Sequence, residues 1–160
     1  MQIEISLPRQ QLTVFDAQGG VLAQYPVSTS LRGPGEEKGS FRTPRGRHIV
    51  RAKIGDGMPV NSVFVGRRPT GEIWTPELGT RHPGRDFILT RILWLSGCDP
   101  GHNRLGNVDS MQRYIYIHGT PDSEPMGAPH SHGCVRMRNA DVLRLFDAVP
   151  VGTPVLITDA

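Results

Sequence analysis

Glycine and proline supply 19 and 14 of the 160 residues, and their spacing leaves little room for long helices. Both residues interrupt regular structure and favour turns, so the chain is cut into short segments. Those segments alternate. Ile3, Ile5 and Leu7 recur at every second position, Pro8-Arg9-Gln10 can turn, and Leu12 and Val14 resume the pattern. Gly19-Gly20 marks a tight turn before Val21-Leu22 and Tyr25-Pro26-Val27. A run of antiparallel strands is expected here. Arg32 to Gly39 is rich in Gly, Pro and charge and reads as a loop. A Thr43-Pro44-Arg45-Gly46 turn leads into His48-Ile49-Val50, and Val63-Phe64-Val65 and Phe87 through Leu95 are further strand candidates.

The clearest strand is Tyr114-Ile115-Tyr116-Ile117-His118. Period-two alternation sets Tyr114, Tyr116 and His118 on one face and Ile115 and Ile117 on the other. If the Cys134 segment is extended, His132, Cys134, Arg136 and Arg138 share a face as well. One helix is expected, from about Asn139 to Ala148. Val142, Leu143, Leu145, Phe146 and Val149 form its apolar stripe, Asp141 sits in the first turn, and Asn139 is its candidate cap. Gly152-Thr153-Pro154 then turns into a last strand, Val155-Leu156-Ile157. Many strands and one late helix make a mainly β chain, and its length suits a single domain over residues 1–160.

With 37% apolar and 21% charged residues the composition is globular. The net charge of +3 is too small, and Lys and Arg too scattered, to argue for nucleic acid. No stretch reaches transmembrane length, and no membrane partner is expected. Met1 is followed at once by an alternating strand pattern, not by a basic and then apolar leader. That favours the cytoplasm, with the periplasm or cell wall as the alternative if a leader was removed. The two cysteines, Cys98 and Cys134, read as free thiols, which suits a reducing compartment.

The chemistry concentrates between Tyr114 and Asn139. Cys134 follows His132 closely and lies downstream of His118. A thiol attacks as thiolate, so a nucleophilic cysteine needs a base or cation beside it, and histidine titrates near the operating pH. Gly133 leaves room for backbone N–H groups to approach a developing oxyanion. Against this stand blander roles: a buried cysteine is usually a small hydrophobe, a lone histidine usually structural, and an arginine usually a solvated charge.

Ser131-His132-Gly133-Cys134-Val135-Arg136, preceded by Ile117-His118-Gly119-Thr120, resembles the signature of the L,D-transpeptidase catalytic domain, also called the YkuD domain. Tyr25 to Ser30 and Lys38 to Gly46 resemble its early strand and Thr-Pro-x-Gly turn. Ser30 departs from the pattern, since many members carry Gly there. The resemblance implies a fold of two packed mixed β-sheets. It implies Cys134 as nucleophile and His118 as base, oriented by the Gly119 carbonyl. His132 and Gly133 would shape the oxyanion site. Arg136 would bind a substrate carboxylate, for which a planar guanidinium is suited. From the residues themselves, Tyr114 and Tyr116 can line the cleft or simply pack; Tyr116 and Ser131 are taken to border the substrate, with Ser131 a hydrogen-bonder and not a second nucleophile.

The implied reaction is thioester acyl transfer on peptidoglycan stem peptides or muropeptides, at the bond between an L-diamino acid and D-alanine. With an amine acceptor it is cross-linking; with water it is L,D-carboxypeptidase trimming. Carbapenem β-lactams are expected to acylate the thiol, and no cofactor is implied. Two readings from other classes compete. His118, His130, His132 and Cys134 are ligand types for zinc, though no Asp or Glu is placed as a metalloenzyme base. A non-catalytic wall-binding module would keep the fold without the chemistry.

Overall fold

The computed structural model describes residues 1–160. Strands β1 (Gln2–Ser6), β2 (Gln11–Phe15) and β3 (Val21–Pro26) form the antiparallel meander that the alternation predicts. They are followed by β4 (Gly46–Ile54), the hairpin of β5 (Ser62–Val65) and β6 (Arg68–Ile73), a short helix α1 (Pro76–Arg81), and the long β7 (Ile88–Gly97). Then come β8 (Tyr116–Gly119), β9 (Val135–Met137), helix α2 (Asn139–Ala148) and β10 (Pro154–Thr158).

The last strand closes on the first: β10 lies between β1 and β4, parallel to β1 and antiparallel to β4. Strand β7 is the hub and pairs antiparallel with β4, β5 and β8. Strand β9 joins β8 in parallel. Ser28, just past β3, exchanges backbone hydrogen bonds of 3.0 and 2.9 Å with Arg136 of β9. The strands expected in two mixed sheets thus share one hydrogen-bonded network whose far ends meet. A cluster of 19 buried apolar residues fills the interior, drawn from both ends of the network and from α2. Each fully buried Leu or Ile there contributes about 1.5–3 kcal/mol. Helix α2 offers Val142, Leu145 and Phe146 to this core, as its stripe requires.

Two local expectations are corrected. Tyr114 does not belong to the strand: its φ is +57° and it is exposed, so the alternation begins at Ile115. Asn139 does not cap α2. The cap position is Arg138, without a side-chain bond, and Asn139 is buried. Its Nδ2 donates toward Asn61 Oδ1 (3.0 Å), the Thr120 carbonyl (3.0 Å) and Asp122 Oδ1 (3.2 Å), while its Oδ1 accepts from the Thr90 hydroxyl. One side chain thus ties the helix start to β7 and to the loops after β4 and β8. Asn139→Ala leaves several buried polar groups unpaired and is expected to cost about 2–4 kcal/mol. Thermal unfolding checks this; an unchanged midpoint would mean that the apolar face of α2 alone holds the helix.

Candidate active site

Strands β8 and β9 bring the chemistry together. Ile117 and Val135 are register partners and point into the core. Their strand neighbours Tyr116, His118, Cys134 and Arg136 therefore project from the opposite face, with His118 directly across from Arg136. The thiol is held on both sides by backbone. The Tyr116 N–H donates to Cys134 Sγ at 3.4 Å, and the S–H can donate to the Tyr114 carbonyl 3.3 Å away.

His118 is buried, with Nδ1 2.6 Å from the carbonyl of Gly119. A carbonyl only accepts, so Nδ1 carries the proton and Nε2 keeps its lone pair. Gly119 has no room for a side chain: a Cβ there would lie 2.5 Å from Asn139 Oδ1 and 2.6 Å from the Leu89 carbonyl. Burial lowers the His118 pKa, opposed by the negative charge of Asp86 and by the Gly119 carbonyl, while Arg136 adds to the lowering. Burial likewise pushes the Cys134 thiol up to about 12, opposed by the Tyr116 N–H. Burial thus favours the neutral form of each group.

The turn before Cys134 depends on glycine. Gly133 has φ +128°, and a Cβ would lie 3.2 Å from the Arg42 carbonyl. The Thr-Pro turn seen in the sequence buttresses it: Thr43 Oγ1 donates to the Gly133 carbonyl at 2.9 Å and accepts the Ser30 N–H at 3.0 Å. Ser30 uses its own hydroxyl to bind the Phe41 carbonyl and to accept the Arg32 N–H, a fastening that Gly would not supply. Ser131 is structural. Its hydroxyl donates to the Cys134 carbonyl (2.6 Å) and accepts the Gly133 N–H (3.2 Å), leaving it no hydrogen to donate to a substrate. The Gly133 N–H is thereby engaged, whereas the Cys134 N–H makes no bond within the chain. Of the two amides at this turn, the free one is thus that of Cys134.

A cleft of about 270 Å³ opens over the sulfur, lined by Lys38, Phe41, Asp86, Arg113, Tyr114, His132 and Cys134 among others. With Ser131, three expected substrate contacts are absent from its lining. Tyr116 is buried against Phe64 and Ile92, with its hydroxyl accepting from Arg67 at 3.0 Å; Tyr114, turned out by its positive φ, lines the cleft instead. Arg136 is also buried. Its guanidinium donates to Asp86 Oδ1 at 2.9 Å and toward the His130 carbonyl at 3.3 Å. His132 is exposed at the cleft rim, edge-on to Phe41, with Nδ1 3.3 Å from Asp86 Oδ2.

Asp86 and Arg113 were not singled out by the sequence. Nothing local marks Asp86, which lies in a Gly- and Pro-bearing segment far from the motif it joins. Arg113 ties down the 35–42 loop through the Gly35, Glu36 and Arg42 carbonyls and the Ser40 hydroxyl. No three His, Cys, Asp or Glu side chains gather in a way that would hold a metal ion. A larger cavity, about 460 Å³, lies by Glu36, Arg45 and His102, and neither cysteine lines it. No helix is long and apolar enough to cross a membrane.

The model of the L,D-transpeptidase catalytic domain, YkuD, matches residues 1–157. The chain is 34% identical over 111 residues to the probable L,D-transpeptidase YbiS of Escherichia coli, an overlap of 67% of this chain and 35% of that protein. It is 51% identical over 98 residues to the probable L,D-transpeptidase ErfK/SrfK of the same organism, covering 59% and 30%. Matched stretches thus span about a third of these relatives. Among solved structures, L,D-transpeptidase 3 from Mycobacterium tuberculosis with a faropenem-derived adduct aligns with a TM-score of 0.59 at 17% identity, over 98% of this chain and 59% of that one. The Enterococcus faecium L,D-transpeptidase C442S mutant aligns at 0.58 and 17%, over 98% and 49%. At such identity the likeness is one of fold.

Proposed function

Because the chain belongs to the L,D-transpeptidase catalytic-domain family, we propose that it performs acyl transfer through a thioester on Cys134, with peptidoglycan stem peptides as donors. The observation that carries this reading is the fixed tautomer of His118, whose free Nε2 shares a strand face with the Cys134 thiol. Sγ loses its proton to Nε2 and attacks the carbonyl carbon between the L-diamino acid and D-alanine. The Cys134 N–H meets the tetrahedral oxyanion, an interaction for which loss of a donor costs about 3–4 kcal/mol of transition-state stabilisation. The C–N bond breaks, His118 returns the proton to the departing amine, and a thioester remains. An acceptor amine then gives a proton to His118 and displaces the sulfur, completing a cross-link.

Lys38 and Arg113 are the cations that line the cleft; Arg113 has its Nη donors committed to the 35–42 loop, so Lys38 replaces the buried Arg136 as the candidate partner for a stem carboxylate. Carbapenems are proposed to acylate Cys134. The support is that relatives of this fold bear a faropenem-derived adduct or are complexed with imipenem.

The test is incubation with a disaccharide-tetrapeptide, with and without an amine acceptor, followed by mass spectrometry. The expected result is D-alanine release, an acyl adduct on the Cys134 peptide, and a cross-linked product only when the amine is present. Tripeptide as the sole product in both arms would make water the acceptor and the enzyme a carboxypeptidase. Absence of any adduct would overturn the reading.

A further inference from the structure

Arg136 presents a difficulty for the acyl-transfer reading. It is the register partner of His118, it is 7% exposed, and its guanidinium keeps its charge at any working pH. A fixed cation beside a buried imidazole opposes the imidazolium that must form when His118 takes the thiol proton. We propose that Asp86 is a positioning residue for this step: it neutralises Arg136 and tethers His132, so that the site can hold a proton on His118.

The geometry is specific. Asp86 divides its two oxygens, Oδ1 to Arg136 Nη2 at 2.9 Å and Oδ2 to His132 Nδ1 at 3.3 Å, so one carboxylate links both sides of the nucleophile's turn. It reaches the site from the segment between α1 and β7 and also lines the cleft over Cys134. The remaining charged or titratable groups around the pair are few. Arg113 borders the sulfur from before β8, Glu124 lies 3.9 Å from Arg136 Nη1, the Tyr114 and Tyr116 phenols flank the strand, and Lys38 stands at the cleft mouth. Asp86 is the carboxylate bonded to Arg136 at hydrogen-bond distance; Glu124 is too far to replace it. Consistent with this placement, Asp86 raises the proton affinity of both His118 and Cys134, and Arg136 lowers both.

The sign of the effect follows. Removing a negative charge stabilises every nearby deprotonated form, so both macroscopic ionisations of the cysteine–histidine pair must fall. The inference rests on the acyl-transfer reading, so its test includes a reaction that needs no substrate. The pH dependence of Cys134 alkylation by iodoacetamide is measured by peptide mass spectrometry in the wild type, in Asp86→Asn and in Asp86→Glu, alongside tetrapeptide turnover. In Asp86→Asn both apparent ionisations are expected to move to lower pH and turnover to fall about ten- to a hundredfold, less than for loss of the base itself. Asp86→Glu keeps the charge and should retain the wild-type profile.

The double variant Asp86→Asn/Arg136→Met removes cation and carboxylate together, and a neutral pair is tolerated where a lone buried charge is not. It should recover part of the lost turnover, a coupling that guards against misreading a destabilised single variant. An unshifted alkylation profile in Asp86→Asn, or a double variant no better than the single, would overturn the inference while leaving Cys134 as nucleophile. A wild-type Cys134 that resists both alkylation and acylation would overturn the acyl-transfer reading as well.

Discussion

Cys134→Ala is expected to abolish both tetrapeptide turnover and carbapenem acylation, while Cys98→Ala keeps most of each. The two thiols are equally free and similarly placed in burial, so the contrast must come from surroundings. Cys134 stands on the strand face of His118, beside an unengaged amide and under an open cleft. Cys98 sits in the turn after β7, its N–H bonded to the Arg47 carbonyl; the chain provides it no such pairing with histidine. Removing one sulfur atom from a half-open cleft creates no sealed cavity, so the midpoint of Cys134→Ala should stay near that of the wild type. Intact-mass measurement after carbapenem exposure gives a direct readout. An adduct surviving in Cys134→Ala, or lost in Cys98→Ala, would reassign the nucleophile.

What could be read in advance was whatever depends on neighbours in sequence. The alternation of Ile115 and Ile117 placed the aliphatic face of β8 in the core, and the stripe of α2 set both its limits and its buried side. The tautomer-fixing carbonyl of Gly119 follows His118 directly. The failures were of two kinds. Some residue types serve two roles with the same local signal: Asn139 has the chemistry of a cap but spends it on Asn61, Thr120 and Asp122. Helix α1 shows the reverse. Its Thr75 Oγ1 accepts the Leu78 N–H and Pro76 opens its first turn, yet without a buried residue it carries no apolar stripe to announce it.

The second kind concerns what covers a face. Alternation correctly put Arg136 on the side of Cys134 but could not say that Asp86 would arrive from the segment before β7 and bury it. The expected substrate contact rests on that shared face and on the family resemblance, and neither shows what packs over a guanidinium. Tyr114, and not Tyr116, meets the cleft for a related reason: a single positive φ at Tyr114 breaks the period-two pattern two residues before the strand begins. Backbone sign at one residue is not encoded in hydrophobic periodicity, and it decides here which tyrosine meets the cleft.

His118→Ala should slow acylation of Cys134 about 10²–10⁴-fold, the usual worth of a positioned base, whereas His130→Ala should keep it. His130 uses its backbone, with its N–H on the Ser28 hydroxyl and its carbonyl near Arg136, so its imidazole is dispensable. The pH profile separates a base from a merely structural histidine. In the wild type the acid limb is protonation of the imidazole, which removes the acceptor for the thiol proton. Burial lowers that ionisation, so activity should persist at a more acidic pH than an exposed histidine would allow. The thiol ionises by itself only far on the alkaline side, where burial raises it to about 12, so the plateau above the acid limb is broad. Without His118 the acid limb has no origin, and the residual rate should climb continuously with pH as hydroxide takes over from the imidazole. His118→Gln, which fills the space without supplying a base, should share that profile. Acylation rates by a carbapenem, followed by mass spectrometry from acid to alkaline pH, make the comparison. An acid limb that survives in both variants would shift the base to His132, the other imidazole that borders the cleft.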